Sequence, residues 1–172
     1  MKKKILALFL AVCAAVSLLA VPAAAGDDTS ALQTIRALGI IQGDSSGNMN
    51  LDGNVTRAQF AKMIVSASSH KDSISGNGSG YSLFSDVKSS YWASEYIKIA
   101  VQEGWMVGYT DGSFRPYGAI TLEQACATVL RMLGYTSSAL AGSYPTAQLS
   151  KASALGLRDE ITLSQGGVMT RR

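Results

Sequence analysis

A self-match at a fixed offset of 65 residues constrains this chain more than its composition does. Leu32 falls on Ile97, Gly39 on Gly104, Gly43 on Gly108 and Gly47 on Gly112. Met49 falls on Phe114, Gly53 on Gly118, Val55 on Ile120, Thr56 on Thr121, Gln59 on Gln124 and Ile64 on Val129. Four glycines, a helix cap and the partner of that cap stay in phase without a gap, which marks an internal repeat. Each copy reads as helix, loop, helix. Two helices of this length cannot bury their apolar faces alone, so copies must pack on one another.

Residues 83–135 carry the fullest copy. Trp92, Tyr96, Ile99 and Ala100 are spaced as an apolar stripe and predict a helix over 91–103 that stops at Gly104. Trp105-Met106-Val107 is too short for a helix. Gly108 to Pro116 is a loop with an Asp111-Gly112 turn, plugged by Phe114. Thr121, with Gln124 three residues on, opens a second helix through a capping box. Leu122, Ala125, Cys126, Val129, Leu130, Met132 and Leu133 give that helix a broad apolar face, and Gly134 ends it.

The copy at 28–68 follows the same grammar. Leu32, Ile35 and Leu38 line a first helix, and Thr56 with Gln59 opens a second that carries Phe60, Met63, Ile64 and Ala67. A partial copy at 142–172 has Pro145 at the start of a helix with Leu149, Ala152 and Leu155, stopped by Gly156. Val168-Met169-Thr170-Arg171 then resembles Val55-Thr56-Arg57. No second helix follows, and the chain reads as a fragment or a shortened product. The Ser/Gly/Asn-rich stretch over 66–81 reads as a flexible linker or surface loop, bounded at 69–82, with His70 an exposed histidine without a partner. The expected fold is all-α, with the copies sharing a single apolar centre that includes Leu32, Ile97 and Leu149.

The start of the chain is different. Lys2-Lys3-Lys4, an apolar run from Ile5 to Val21 and the small residues Pro22-Ala23-Ala24-Ala25 form a secretory signal peptide, 1–25, cut after Ala25. The apolar run continues past Cys13, which argues against lipidation there. Removing three leader lysines from 15 basic residues leaves 12 against 12 acidic ones. The formal charge of +3 therefore belongs to the leader and gives no support for nucleic-acid binding. The remaining cysteine, Cys126, reads as a buried structural thiol. No disulfide framework, zinc site or cofactor motif is present in the sequence.

Phe84-Ser85-Asp86-Val87, Tyr91-Trp92-Ala93, the run Gly108-Tyr109-Thr110-Asp111-Gly112-Ser113-Phe114-Arg115-Pro116 and Ile120-Thr121 resemble one S-layer homology domain. Val55-Thr56-Arg57-Ala58-Gln59 resembles the signature of the same family. The resemblance runs from about Asp28 to Arg172. It implies three repeats packed as a pseudo-threefold bundle of helices, here with the third incomplete. It also implies grooves between repeats that bind anionic, often pyruvylated, secondary cell-wall polysaccharide, with no reaction catalysed. On this resemblance the glycan contacts are Arg57 and Arg171 at the signature position, Asp86 and Trp92 at the front of the middle copy, and Gly108, Asp111 and Gly112 in its loop. Leu122 replaces the signature arginine of the middle copy. The implied location is secreted and attached to the cell wall or surface layer.

An arginine in the first turn of a helix opposes the helix dipole. Arg57 and Arg171 therefore point to a task other than helix stability, such as forked contact to a carboxylate. Trp92 suits either a core anchor or a sugar platform. Three rival readings are weaker. Asp44 to Asp52 has some calcium-loop character, but Val55 stands where a bidentate acid is needed and Gly47 is out of phase. Glu95, Glu103 and Glu123 could pair with Asp86 or Asp111 for sugar hydrolysis, but no nucleophile and base set accompanies them. The third rival, a structural or protein-interaction module with decayed glycan binding, draws on Leu122 and the shortened third copy.

Overall fold

In the computed structural model residues 28–171 are described. The signal peptide assigned to 1–25 and Cys13 lie outside them. Among the described residues the regular elements are five α-helices and two short 3-10 turns, with no strand. The helices are α1 (Asp28–Ala37), α2 (Arg57–Ser66), α3 (Ser94–Gln102), α4 (Leu122–Met132) and α5 (Thr146–Ala154). Among the described residues, 28–35 fall in one unit and 36–171 in another. In α1, Leu32 and Ile35 are half-buried, Leu38 is exposed, and Gly39 ends the helix at φ +73°.

The caps form where the sequence places them. Thr56 Oγ1 accepts from the Gln59 N–H at 3.2 Å, and Gln59 Oε1 accepts from the Thr56 N–H at 3.0 Å. The Thr121 and Gln124 box is only half made: the Thr121 N–H lies 3.5 Å from Gln124 Oε1, and the buried Thr121 Oγ1 has no hydrogen-bond partner. Helix α3 starts later than the stripe suggests. Trp92 precedes it and is 53% exposed, while Ala93, Ile97 and Ala100 are the residues that face inward. Trp92 is thus not a core anchor. The tryptophan weighted the stripe toward the wrong face, because its size outranked the small alanines that pack more closely.

The sequence repeat is not the packing unit. Helix α2 of the first copy packs on α3 of the second, and α4 of the second packs on α5 of the third. The single apolar centre expected from the sequence is also divided. One cluster gathers Val55, Ala58, Val65, Ile97, Phe114 and Ile120; the other gathers Leu122, Cys126 and Ala152, with Leu149 against it. Ile97 and Leu149 therefore sit in different clusters. Met169 packs against both.

Backbone hydrogen bonds join the copies in a closed cycle. The Val55 N–H donates to Met169 O at 2.9 Å, Met169 N–H to Ile120 O at 3.0 Å, and Ile120 N–H to Val55 O at 2.9 Å. A second cycle lies beside it. Arg57 N–H donates to Gly118 O at 2.8 Å, Leu122 N–H to Gly167 O at 2.8 Å, and Arg171 N–H to Gly53 O at 3.3 Å. Each acceptor and donor occupies the matched position of its own copy. Isolated bridges at Thr56–Ala119, Thr121–Val168 and Asn54–Thr170 mark the same three junctions. The cycles satisfy N–H groups at the mouths of α2 and α4 that no intrahelical carbonyl can reach.

The segment read as a linker is laid against α3. Glu95 accepts from the Ser75 N–H at 2.9 Å, the Gly76 N–H at 3.0 Å and the Ser75 hydroxyl. Ser79 is buried, with its N–H on Ser94 Oγ and Ser89 O. A Cβ on Gly78 would come within 2.4 Å of the Ser89 carbonyl, so only glycine fits this crossing. His70 is not the partnerless loop residue expected. Its Nε2 lies 3.6 Å from Glu103 Oε1, and its ring meets Trp105 edge-on at 5.7 Å. These partners lie more than 30 residues away along the chain, beyond the reach of a local reading.

Candidate functional site

The two complete loops adopt one conformation. Asp44 N–H donates to Asn48 O and Tyr109 N–H to Ser113 O, and these are matched positions. Gly47 and Gly112 both have φ +78°, and Asn50 and Arg115 are the two non-glycine residues at positive φ among the described residues. Asp86 fixes the second loop from outside. Its two carboxylate oxygens accept from the Phe114 and Arg115 N–H groups, each at 2.8 Å. Asp111 fixes it from inside, accepting from Ser113 N–H at 3.0 Å and Ser113 Oγ at 2.6 Å and pairing with Arg115 at 2.9 Å. Hydrogen bonds from Ser113 and then Arg115 pull the Asp111 pKa down to about 2. In the first loop, Asp44 accepts from the Ser46 and Asn48 amides in the same turn-closing manner.

Arg57 does not project freely. It is 5% exposed. Its Nε donates to Phe114 O at 2.8 Å and its Nη2 to Val107 O at 2.7 Å. The guanidinium stacks 4.5 Å from the Phe114 ring centre and 5.0 Å from that of Tyr109. Burial lowers its pKa from the usual guanidinium value, and the nearby Tyr109 opposes that shift. The fork that the sequence suggests for a carboxylate is thus engaged on two backbone carbonyls of the next copy. Arg171 repeats the arrangement one junction earlier. Its Nη1 lies 3.0 Å from Met49 O and 3.4 Å from Gln42 O, the matched carbonyls of the first loop.

The third junction is built differently. Leu122 is fully buried, with Leu163, Ile161 and Leu149 against its cluster. Leu163 holds the place of Phe114, four residues before the matched glycine, and its carbonyl accepts from Arg158 Nη2 at 3.2 Å. The guanidinium there comes from within the same copy rather than from its neighbour.

Two grooves open over these arginines. The larger, about 400 Å³, is lined by Arg57, Val107, Gly108, Tyr109, Gln124, Thr128, Arg131 and Tyr144. Gln124 Nε2 lies 3.4 Å from the Tyr109 hydroxyl, and Arg131 Nη1 donates to Trp105 O at 3.2 Å. The second, about 230 Å³, is lined by Gln42, Gly43, Gln59, Lys62, Met63, Trp92 and Arg171. The offset of 65 carries Gln42, Gly43, Gln59 and Met63 onto Val107, Gly108, Gln124 and Thr128. The step from Gly104 to Gly156 carries Trp92 onto Tyr144. Each groove therefore takes its loop and helix from one copy, its arginine from the copy before and its aromatic wall from the copy after. Both hold two cations, Arg57 with Arg131 in one and Arg171 with Lys62 in the other.

Of the residues singled out in the sequence, Arg57 and Gly108 line the larger groove, and Arg171 and Trp92 line the smaller. Asp86, Asp111 and Gly112 line neither; they shape the loop. Gly108 is required by close approach, because a Cβ there would lie 2.1 Å from the Phe84 ring. The sequence reading missed Arg131, Tyr109, Tyr144 and Lys62. Arg131 and Lys62 sit on helix faces where a cation reads as ordinary surface. The wall positions of Tyr144 and Trp92 emerge only when the third copy is aligned. Among the described residues no helix is long and apolar enough to cross a membrane, and no group of three or more His, Cys, Asp and Glu is placed to hold a metal ion.

Residues 25–61 and 83–126 match the S-layer homology domain. The middle cell wall protein of Brevibacillus brevis is 32% identical over 140 residues, which is 79% of this chain and 13% of that protein. The surface layer protein of Brevibacillus choshinensis is 30% identical over 175 residues, 92% of this chain and 15% of that protein. The cellulosome-anchoring protein of Acetivibrio thermocellus is 26% identical over 103 residues, 60% of this chain and 23% of that protein. This chain thus spans under a quarter of the length of each of these relatives. The two matched segments carry the first and second copies, with their caps, loops and the signature arginine at Arg57, and the chain belongs to the S-layer homology domain family.

Proposed function

We propose that this chain is a non-catalytic anchor that holds an exported protein at the bacterial cell wall by binding anionic wall polysaccharide in the grooves between its copies. One observation carries the reading: the larger groove combines two guanidinium groups, Arg57 and Arg131, with Tyr109, Tyr144 and the polar ends of Gln124 and Thr128. Acidic sugars need forked cationic donors, flat apolar faces and neutral hydrogen-bonding groups together. Arg57 has five N–H donors, and its bonds to Phe114 O and Val107 O use two of them. Pyruvylated sugars, which bring a carboxylate on a compact ring, are the ligand class this donor set suits. The cell-wall, surface-layer and anchoring roles in the relatives' names support the same reading.

A pseudo-threefold arrangement of the copies belongs to this proposal. Its support is the pair of closed hydrogen-bond cycles, in which matched residues of three copies each donate to the next.

The test is a calorimetric titration of the protein with polysaccharide released from wall sacculi, set beside Arg131→Gln. The variant is expected to bind at least about tenfold more weakly, which is the loss of one charge-assisted contact. Equal binding by Arg131→Gln would remove the groove from the account. A second reading, a structural module without glycan binding, is favoured by the burial of the Arg57 guanidinium against backbone carbonyls. Absence of any binding heat with the wild-type chain would select it.

A further inference from the structure

Tyr117, Tyr91, Trp92 and Tyr96 form an unbroken series of ring contacts. Tyr91 meets Tyr117 edge-on at 5.5 Å and Trp92 at 5.5 Å, and Trp92 meets Tyr96 at 6.4 Å. Large aromatic rings are normally spent on the core, yet Tyr117 is 74% exposed and Trp92 is 53% exposed. Tyr91 and Tyr96 are half-buried beneath them. Tyr117 meets the Tyr91 ring edge-on, and most of its surface is left to solvent. The series also leads somewhere, because Trp92 is a wall of the smaller groove that holds Arg171 and Lys62.

We infer that these four rings are a track on which a polysaccharide chain lies as it leaves the Arg171 and Lys62 groove, so that this protein grips several consecutive sugars rather than a terminal one. The inference rests on the anchoring reading above and extends it to the length of ligand held. Two features select a glycan as the occupant. The rings are phenols and an indole, flat apolar faces with polar edges, which suit sugar rings whose hydroxyls lie around an apolar face. The track is continuous with a groove whose two cations complement an acidic chain.

The experiment compares wild type, Tyr117→Ala and Trp92→Ala, using two probes prepared from the same wall: released polysaccharide of full length, and its single-sugar hydrolysate. Tyr117 is 74% exposed, so Tyr117→Ala is expected to stay folded, which circular dichroism checks. Full-length polysaccharide is expected to bind Tyr117→Ala roughly two- to tenfold more weakly, the worth of one stacked ring. Single sugars are expected to bind it as they bind wild type. Trp92→Ala, which removes a wall of the groove as well as a ring of the track, is expected to weaken binding of both probes. If wild type binds the polysaccharide and Tyr117→Ala binds it equally, the track is overturned while the anchoring reading stands. If wild type binds neither probe, both fall.

Discussion

Replacing Arg57 by alanine tests what the signature arginine does in this chain. The guanidinium donates to Phe114 O at 2.8 Å and to Val107 O at 2.7 Å, and it stacks on the Phe114 ring. A hydrogen bond from a charged donor contributes about 1.5–3 kcal/mol. The stacked cation adds up to about 2 kcal/mol where it is desolvated. These terms overlap, because one rigid group makes all of them, so the expected loss is on the order of 3–4 kcal/mol. That is a large share of the roughly 5–15 kcal/mol that keeps a domain folded. Each kcal/mol moves the melting temperature of a domain this size by about 2–4 °C, so Arg57→Ala should melt roughly 10 °C lower. Arg57→Lys should fall between, since an ammonium can reach one carbonyl but cannot span both as a fork. Thermal and urea unfolding followed by circular dichroism give the answer. A loss below about 1 kcal/mol would show that the bonds to the next copy's loop do not hold the junction together. The same argument makes Arg131, rather than Arg57, the cleaner probe of ligand binding.

Two further outcomes follow from the loop geometry. Gly108→Ala puts a Cβ 2.1 Å from Phe84 Cε1, and the Phe84 ring rests on Phe114 at 5.4 Å. Displacing it should cost about 1–3 kcal/mol, measured by urea unfolding, and a neutral substitution would contradict the packing. Asp111 has a folded pKa of about 2, set by Ser113 and then Arg115, against about 3.9 for an unfolded aspartate. A depressed carboxylate pKa lends stability that is complete above the unfolded value and is lost as pH falls through the folded one. Carboxyl NMR should give a midpoint near 2 for Asp111; a midpoint near 4 would mean the turn does not hold the carboxylate.

Much of the fold was legible because its punctuation is local. Gly39, Gly104 and Gly156 stop helices at positive φ, and Thr56 with Gln59 closes its box over three residues. Those signals sit within one turn of the residues they act on. What lay beyond the sequence was the exchange between copies. The helix–loop–helix unit reads as a module, yet α2 packs on α3 and α4 on α5, because an amphipathic face carries no label for the partner it will meet. Trp92 illustrates the cost of ranking residues by size: Ala93, Ile97 and Ala100 took the buried face and the tryptophan was left outside. The sequence singles out Arg57 as an arginine placed against its helix dipole. That its donors reach Val107 O, 50 positions away, could be found only in three dimensions. The replacement of an arginine by Leu122 looked like a simple loss until Arg158 proved to bond the matched carbonyl of Leu163.

The anchoring account stands or falls on attachment to the wall. The direct measurement is co-sedimentation of the protein with wall sacculi before and after their polysaccharide is stripped. The account predicts that the protein travels with intact sacculi and stays in solution with stripped ones. Equal sedimentation with both would contradict it.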